Sequence, residues 1–314
     1  MDHINLEIFR AVASELSITR AAKRLGRVPS NVTTRIQQLE AELGVELFVR
    51  DGNRLTLSGE GQRFVDYADR LIALADEARQ VLRPQAPMGV LRVGTMDSTA
   101  AARLPGPLAR FHTRWPDVQL NVSTQTSRQL IESVRSGLLD CALAALPPCS
   151  DLATAADLES IGLHAERVFK EELLIVAPPG HRALRKPGDL DLRSLAAFAQ
   201  GCSYRALIED WLGDTAATLV VQEVGSYHAM LACVASGSSF CLVPRSVLDL
   251  MRDPPEFQTH TIARMDTWLI RRHGFETAAF TAWREILMPA DTSQPHEARS
   301  PRNLARSSSQ KRAA

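Results

Sequence analysis

The side chains best suited to chemistry in this sequence are short and polar, and they fall into two groups. The first is Ser30, Asn31, Thr33, Thr34, Arg35 and Gln37, on the outward face of a predicted helix whose inner stripe is Val32, Ile36, Leu39 and Leu43. Hydroxyl, amide and guanidinium groups on one exposed helix face can pair with base edges and phosphates in a major groove. The second group lies in four hydroxyl-rich turns: Thr95-Met96-Asp97-Ser98-Thr99, Thr124-Gln125-Thr126-Ser127, Gly201-Cys202-Ser203-Tyr204-Arg205 and Gly225-Ser226-Tyr227-His228. At the carboxyl ends of parallel strands, where helix amino termini converge, such turns suit a carboxylate or another small anion. The ligand-contact candidates are Thr95, Asp97, Ser98, Thr99, Thr126, Ser127, Cys202, Ser203, Tyr204, Ser226 and Tyr227. Asp97 is an acid in a site otherwise built for anions. It could receive an ammonium, which would make the ligand amino-acid-like, or it could satisfy a nearby helix amino terminus.

The elements that must hold the first group are legible around it. In SITRAAKRLG, Ile18, Ala21, Ala22 and Leu25 recur at helical spacing and Gly26 stops the helix. Pro29 then stands at the expected first position of the next helix, where its missing N–H costs nothing. Leu6, Phe9 and Val12 or Ala13 define a helix over Asn5 to Ser14 that packs behind this pair. A two-stranded wing follows: Leu47 to Arg50, a turn at Asp51-Gly52-Asn53, and Arg54 to Leu57. Arg50 and Arg54 flank the turn within reach of phosphates or a minor groove, Arg50 having an internal ion pair to Asp51 or Glu46 as its alternative. Arg20, Lys23, Arg24, Arg27 and Arg35 form a local cationic strip with no acid between Arg20 and Arg35, although the chain balances 36 basic against 36 acidic residues. Such a strip can meet a phosphate backbone; it can also be the solvated face of an ordinary helical hairpin.

From Ser58, a helix cap, the apolar positions Phe64, Ala68, Leu71, Leu74 or Ala75, Ala78 and Leu82 recur at spacings of three and four until Arg83-Pro84. This helix has little of its own domain to bury against, so a second subunit or the following domain must cover it. Pro84 to Gly89 reads as a hinge. Beyond it, short strands and helices alternate: strand Val90 to Gly94, helix about Thr99 to Arg114, strand Val118 to Ser123, helix Arg128 to Ser136 and strand Cys141 to Ala145. An extended segment from Arg167 to Ala177 then crosses to a second subdomain. There a helix near Ser203 to Leu212, strand Leu219 to Val224, helix Tyr227 to Ser236, strand Phe240 to Val243 and a helix after Pro244 are expected. A return around Trp268 to Arg271 and a helix from Thr277 to Leu287 close the unit. The alternation implies parallel βαβ units in an α/β fold.

Phe9, Ser17-Ile18-Thr19, Ala21-Ala22, Leu25, Val32, Ile36, Leu39-Glu40, Leu43-Gly44, Leu47-Phe48, Arg50 and Leu55-Thr56 resemble, at fixed spacing, the amino-terminal signature of LysR-type transcriptional regulators. The resemblance implies a winged helix-turn-helix head (1–58), a dimerising linker helix (59–84), a hinge (85–89) and a two-lobed effector domain like the periplasmic binding proteins (90–290). Lobe 1 would take about 90–165 and 266–290, and lobe 2 about 166–265. It also implies the partners: double-stranded DNA with an inverted-repeat operator, a small carboxylate or amino-acid-like effector, a second copy of the chain, with pairing of dimers into tetramers left open, and RNA polymerase as a further candidate. Two departures matter. The family usually has Ser-Gln where this chain has Val28-Pro29, and Ser where it has Thr33, so Ser30, Asn31 and Arg35 must carry more of the specificity. The segments Gly94 to Ala101, Gly201 to Arg205 and Ser226 to Val234 resemble a narrower subgroup that includes putrescine-utilisation regulators, which implies control of polyamine, amino-acid or related nitrogen metabolism.

Composition bounds the alternatives. At 314 residues and 45 % apolar, the chain suits a small domain plus a larger one. MDHINLEIFRAVASEL carries charge throughout, unlike a signal peptide, and no apolar run approaches the roughly 20 residues of a membrane span, so a cytoplasmic protein is expected. Cys141, Cys149, Cys202, Cys233 and Cys241 are scattered and odd in number, which points to neither a disulfide framework nor a zinc cluster, although Cys202 beside the cleft could be a redox-sensing thiol. No G-x-S-x-G, H-E-x-x-H or G-x-x-x-x-G-K-[ST] motif is present, so no cofactor and no enzymatic activity are expected. The competing reading is a small-molecule-binding α/β protein or enzyme with an accessory DNA-binding head. Residues 291–314, rich in Ser, Arg, Pro and Ala, are expected to be a disordered basic tail.

Overall fold

The computed structural model describes residues 1–52, 54–82, 86–148 and 150–288. The turn residue Asn53, residues 83–85 at the helix end and the start of the expected hinge, Cys149, residues 289–290 and the expected basic tail lie outside the described residues.

The head is three helices and a wing. Asp2 accepts from the Asn5 N–H at 2.7 Å and starts α1 (His3–Glu15). Ser17 caps α2 (Ile18–Arg24), and Gly26, at φ +64°, turns the chain toward α3 (Pro29–Leu43), whose first residue is the proline. The wing strands β1 (Phe48–Asp51) and β2 (Arg54–Leu57) pair antiparallel. Phe9 is fully buried, with ring centroids 5.4 Å from Phe48 and 5.1 Å from Phe64. Its burial contributes about 1.5–3 kcal/mol and binds α1, wing and linker into one core.

Ser58 caps α4 (Gly59–Val81) through the Gly61 N–H at 2.8 Å. The expected seam divides in two. Phe64 and Ala68, together with Ile72, turn inward onto the head core, because α1 lies alongside α4, with His3 reaching Arg79. The exposed apolar strip is instead Tyr67, Leu71, Leu74 and Val81, with Leu82 just past the helix end at 83 % exposure. Spacings of four, three and seven still describe one helix face. The second half of α4 also touches the following domain: Glu77 pairs with Arg272 and Gln80 donates to the Val90 carbonyl.

That domain contains β3 (Gly89–Thr95), α5 (Asp97–Ala102), α6 (Pro105–Arg114), β4 (Val118–Thr124), α7 (Ser127–Arg135), β5 (Cys141–Ala145), α8 (Ala155–Ser160) and the long β6 (Leu163–Ala177). It continues through β7 (Ser194–Ala197), α9 (Ser203–Leu212), β8 (Val220–Glu223), α10 (Tyr227–Ala235), β9 (Cys241–Pro244), α11 (Arg245–Leu248), β10 (Gln258–Arg272) and α12 (Ala278–Leu287). One sheet runs in the order β4-β3-β5-β10-β6-β9, and β7-β8 form a small parallel pair. Three expectations need correction. The helix expected over Thr99 to Arg114 is two helices, because Pro105 lacks the N–H that would continue the first. Parallel pairing holds for β3 with its two neighbours and for β7-β8, whereas β10 and β6 pair antiparallel with each other and with β5 and β9. The crossing and return segments are longer than expected, each 15 residues, so both lobes share two continuous strands.

Candidate functional site

On α3, Ser30, Asn31, Thr34 and Gln37 are exposed, while Thr33 and Arg35 are half-buried. The hydroxyl of Thr33 donates to the Pro29 carbonyl at 3.1 Å and that of Thr34 to the Ser30 carbonyl at 3.0 Å. With these protons engaged in the helix, the two threonines offer methyl groups and acceptor lone pairs outward. Arg35 does not stand free: its guanidinium lies 3.4 Å from both an Asp2 carboxylate oxygen and the Asn5 side-chain oxygen, which folds it back onto the start of α1. The cationic strip is also partly neutralised from outside its own stretch, with Glu15 pairing Arg20 at 3.3 Å and Arg24 at 3.5 Å. Such exposed pairs are worth well under about 1 kcal/mol and exchange readily for phosphate. Arg50 and Arg54 are exposed on adjacent wing strands. Two features escaped the sequence reading. Val28 is 63 % exposed at the foot of α3 and leaves the helix without a side-chain cap. Glu40 accepts from the Leu47 and Phe48 N–H groups at 2.8 and 3.2 Å, fixing the wing to the end of α3.

The four hydroxyl-rich turns meet in one cleft of about 660 Å³ including its open mouth. It brings together Asp97, Ser98, Thr126, Ser127, Cys202, Tyr204 and Tyr227 from the candidate set, and adds Met96, Thr124, Gln125, Gln129, Phe198 and Gly225. Thr95, Thr99, Ser203 and Ser226 do not line it. Thr95 is buried and donates to the Met96 carbonyl, Ser203 reaches across to the Ala145 carbonyl at 2.8 Å, and Ser226 caps α10 through the Ala229 N–H. Thr99 is buried behind the wall with no hydrogen-bond partner for its hydroxyl. Thr95, Ser203 and Ser226 serve the walls because strand-to-helix turns consume hydroxyls as caps and cross-ties. Phe198 and Tyr227 stack edge-to-face at 4.9 Å.

The lobes touch on both sides of this cleft. The Arg128 N–H donates to the Gly201 carbonyl at 3.2 Å, and Gly201 has φ +93°, so a side chain there would press on Thr126. Behind the cleft Glu171, buried on β6, accepts from Arg103 Nε at 2.6 Å and from the Ser246 hydroxyl at 2.7 Å. A buried carboxylate needs such partners. Burial raises the Asp97 carboxyl above its usual range, opposed by the nearby His228. Burial likewise raises the phenols of Tyr204 and Tyr227 and the thiol of Cys202, a shift opposite to the lowered thiol that a reactive cysteine uses.

A helix-turn-helix head with a wing, joined through a long helix to a two-lobed α/β domain with an inter-lobe cleft, is the architecture of a ligand-sensing DNA-binding regulator. Residues 4–62 match the model for the bacterial regulatory helix-turn-helix protein of the lysR family, and residues 84–291 match that for the LysR substrate binding domain. The chain belongs to the LysR family: it is a DNA-binding transcriptional regulator with an effector-binding domain, not an enzyme. It is 33 % identical over 305 residues to the uncharacterized HTH-type transcriptional regulator YusT of Bacillus subtilis (strain 168), covering 94 % of this chain and 98 % of the relative. To the HTH-type transcriptional regulator GltR of the same organism it is 33 % identical, covering 85 % and 89 %. Its fold matches a full-length OxyR of Pseudomonas aeruginosa that carries a cysteine-to-aspartate change (TM-score 0.67, 20 % identity, 94 % and 99 % covered). It also matches full-length CbnR complexed with its target DNA (TM-score 0.65, 21 % identity, 91 % and 99 % covered). Among the described residues, no helix is long and apolar enough to cross a membrane.

Proposed function

We propose that this regulator reads an inverted-repeat operator as a homodimer, and that a small carboxylate or amino-acid-like effector in the inter-lobe cleft alters its DNA binding or promoter output. Ser30, Asn31, Thr33, Thr34, Arg35 and Gln37 contact the major groove, with Arg50 and Arg54 on the flanking backbone. The observation that carries this is the exposed polar face of α3, next to an exposed wing, while the helix packs on α1 and α2 through its other face. The apolar strip Tyr67-Leu71-Leu74-Val81 supports dimerisation, since four exposed apolar side chains on one helix face call for a partner. The narrower kinship to putrescine-utilisation regulators finds no support in the relatives named above. The test is retardation of the DNA beside the gene encoding this chain. A shift at low salt is expected, shrinking as salt rises, with the salt slope reduced by about 1 in Arg50→Ala and again in Arg54→Ala. No shift at low salt overturns the reading. Base-by-base operator substitution should show lost discrimination in Asn31→Ala.

A further inference from the structure

We infer that the effector carries an ammonium group, received in the cleft by Asp97 together with the Ser98 and Tyr204 hydroxyls; this rests on the reading of the cleft as the effector site. Among the described residues lining the cleft, Asp97 is the single charged side chain, and no lysine or arginine joins it there. A free carboxylate ligand would therefore meet one fixed negative charge and no fixed positive one, in surroundings where like charges repel strongly. The alternative employment of Asp97 is not realised. Met96 is the capping residue of α5 and no side-chain cap hydrogen bond forms, and the Asp97 carboxylate has no hydrogen bond or ion pair among the described residues. His228 is near but forms no hydrogen bond to it and does not line the cleft, so Asp97 is a half-buried acid with an unfilled need for a donor.

A second, independent observation lies in the same lining. Ser98 and Tyr204 line the cleft, are 2 % and 3 % exposed, and neither hydroxyl has a partner in hydrogen-bonding geometry. The Tyr204 hydroxyl lies toward those of Ser98 and Thr267, and such hydroxyl neighbours leave lone pairs on the oxygens free. Buried polar groups left unpaired in a cavity mark what a ligand must supply. An ammonium has three donors and no acceptor, which matches one carboxylate and two hydroxyl oxygens. The remaining wall is apolar where the carbon skeleton would lie: Phe198 and Tyr227 present an edge-to-face aromatic pair, with Met96 in the same lining. Aromatic faces tolerate both alkyl carbon and cationic nitrogen. An α-amino acid fits as well as a simple amine if its carboxylate points to the uncharged side of the cleft, toward Thr124 and Gln129.

The experiment is calorimetric titration of the full-length protein with matched probes: n-butylamine, butan-1-ol, butanoate and L-norvaline, then the same set with longer and aromatic skeletons. Ammonium-bearing probes are expected to bind at least about tenfold more tightly than the matching alcohol or carboxylate, and Asp97→Asn to lose about 10- to 100-fold of that affinity. Thr124→Trp, at an exposed position of the lining, should block every probe while leaving the unliganded melting temperature unchanged. A preference for carboxylates, ammonium binding unaltered in Asp97→Asn, or no ammonium probe binding at all overturns the ammonium inference. Binding that survives Thr124→Trp undiminished overturns the cleft reading instead, so the two failures are distinguishable.

Discussion

Glu77 and Arg272 form an ion pair at 2.9 Å between the linker helix and the end of the last long strand of the effector domain. The same guanidinium donates through its other terminal nitrogen to the Val134 and Leu139 carbonyls at 3.2 and 2.9 Å, closing the carboxyl end of α7. The amino end of α7 supplies Thr126 and Ser127 to the cleft. One nine-residue helix therefore runs from the ligand site to the residue that grips the linker.

From this arrangement Glu77→Gln should cost about 1 kcal/mol in stability, since the pair is part-buried but the glutamine oxygen can still accept from Arg272. Arg272→Ala should cost more, about 2–3 kcal/mol, since it leaves the Leu139 carbonyl and the part-buried Glu77 carboxylate without their donor, while the Val134 carbonyl keeps the Gly137 N–H. Retardation with and without effector is the functional measurement. Both variants should bind operator DNA unliganded and show a reduced response to ligand; an undiminished response in both would remove this contact from the coupling route.

Val28 leaves α3 uncapped, and serine is a strongly favoured residue at that position. Val28→Ser should stabilise the free protein by about 0.5–1 kcal/mol, measured by urea unfolding of the full chain. It should also weaken binding at operators with a thymine beside the helix foot, because an exposed valine can pack on a thymine methyl and serine cannot do so as well.

Asp97 gives stability a pH dependence of unusual sign. Its carboxyl is raised above 3.8 in the folded chain, so the native state holds the proton more tightly than the unfolded one. The contribution is full below the ordinary carboxylate value and is lost as pH rises through the raised native one. Asp97→Asn removes the effect. Unfolding midpoints of the two proteins should coincide near about pH 3.5 and separate in favour of the variant by about pH 7.

Gly61 sits in the first turn of α4 with no room beside it. A Cβ there would overlap the Leu47 carbonyl, a backbone group that cannot swing aside. Gly61→Ala should destabilise the head by about 1–3 kcal/mol, visible as an early unfolding step ahead of the effector domain in calorimetry. Retention of a single unshifted transition would show that the linker can slide.

The head was legible almost to the residue because each boundary carries a local device: Ser17, Gly26, Pro29 and Ser58 act within one turn of chain. The effector domain was legible in its element types but not in its pairing. Nothing in the residues of β10 announces an antiparallel partner, and its first half, alternately half-buried and exposed, is built mainly of polar residues, which hides the alternation. The cleft was half legible. The turns could be found by their hydroxyls, but whether a hydroxyl faces the cavity or ties the wall depends on partners far along the chain, as with Ser203 and Ala145. Arg35 shows the same limit, for its partner Asp2 lies 33 residues away. Phe198 and Met96 carry no polar signal and became visible only as walls.

The linker helix has 23 residues and is therefore a rod about 35 Å long. The head packs along it through Phe64, Ala68 and Ile72, with His3 reaching as far as Arg79, while Glu77 fastens the same rod to the effector domain. A rod fixed this way is a lever with its fulcrum near Glu77 and an arm of about 27 Å reaching back to Gly59. A tilt of about 7° there carries the far tip through about 3.4 Å, which is the rise of one base-pair step. The sensor domain can thus be nearly rigid, with two shared strands resisting any wide opening, and still shift the phasing of its heads along the double helix.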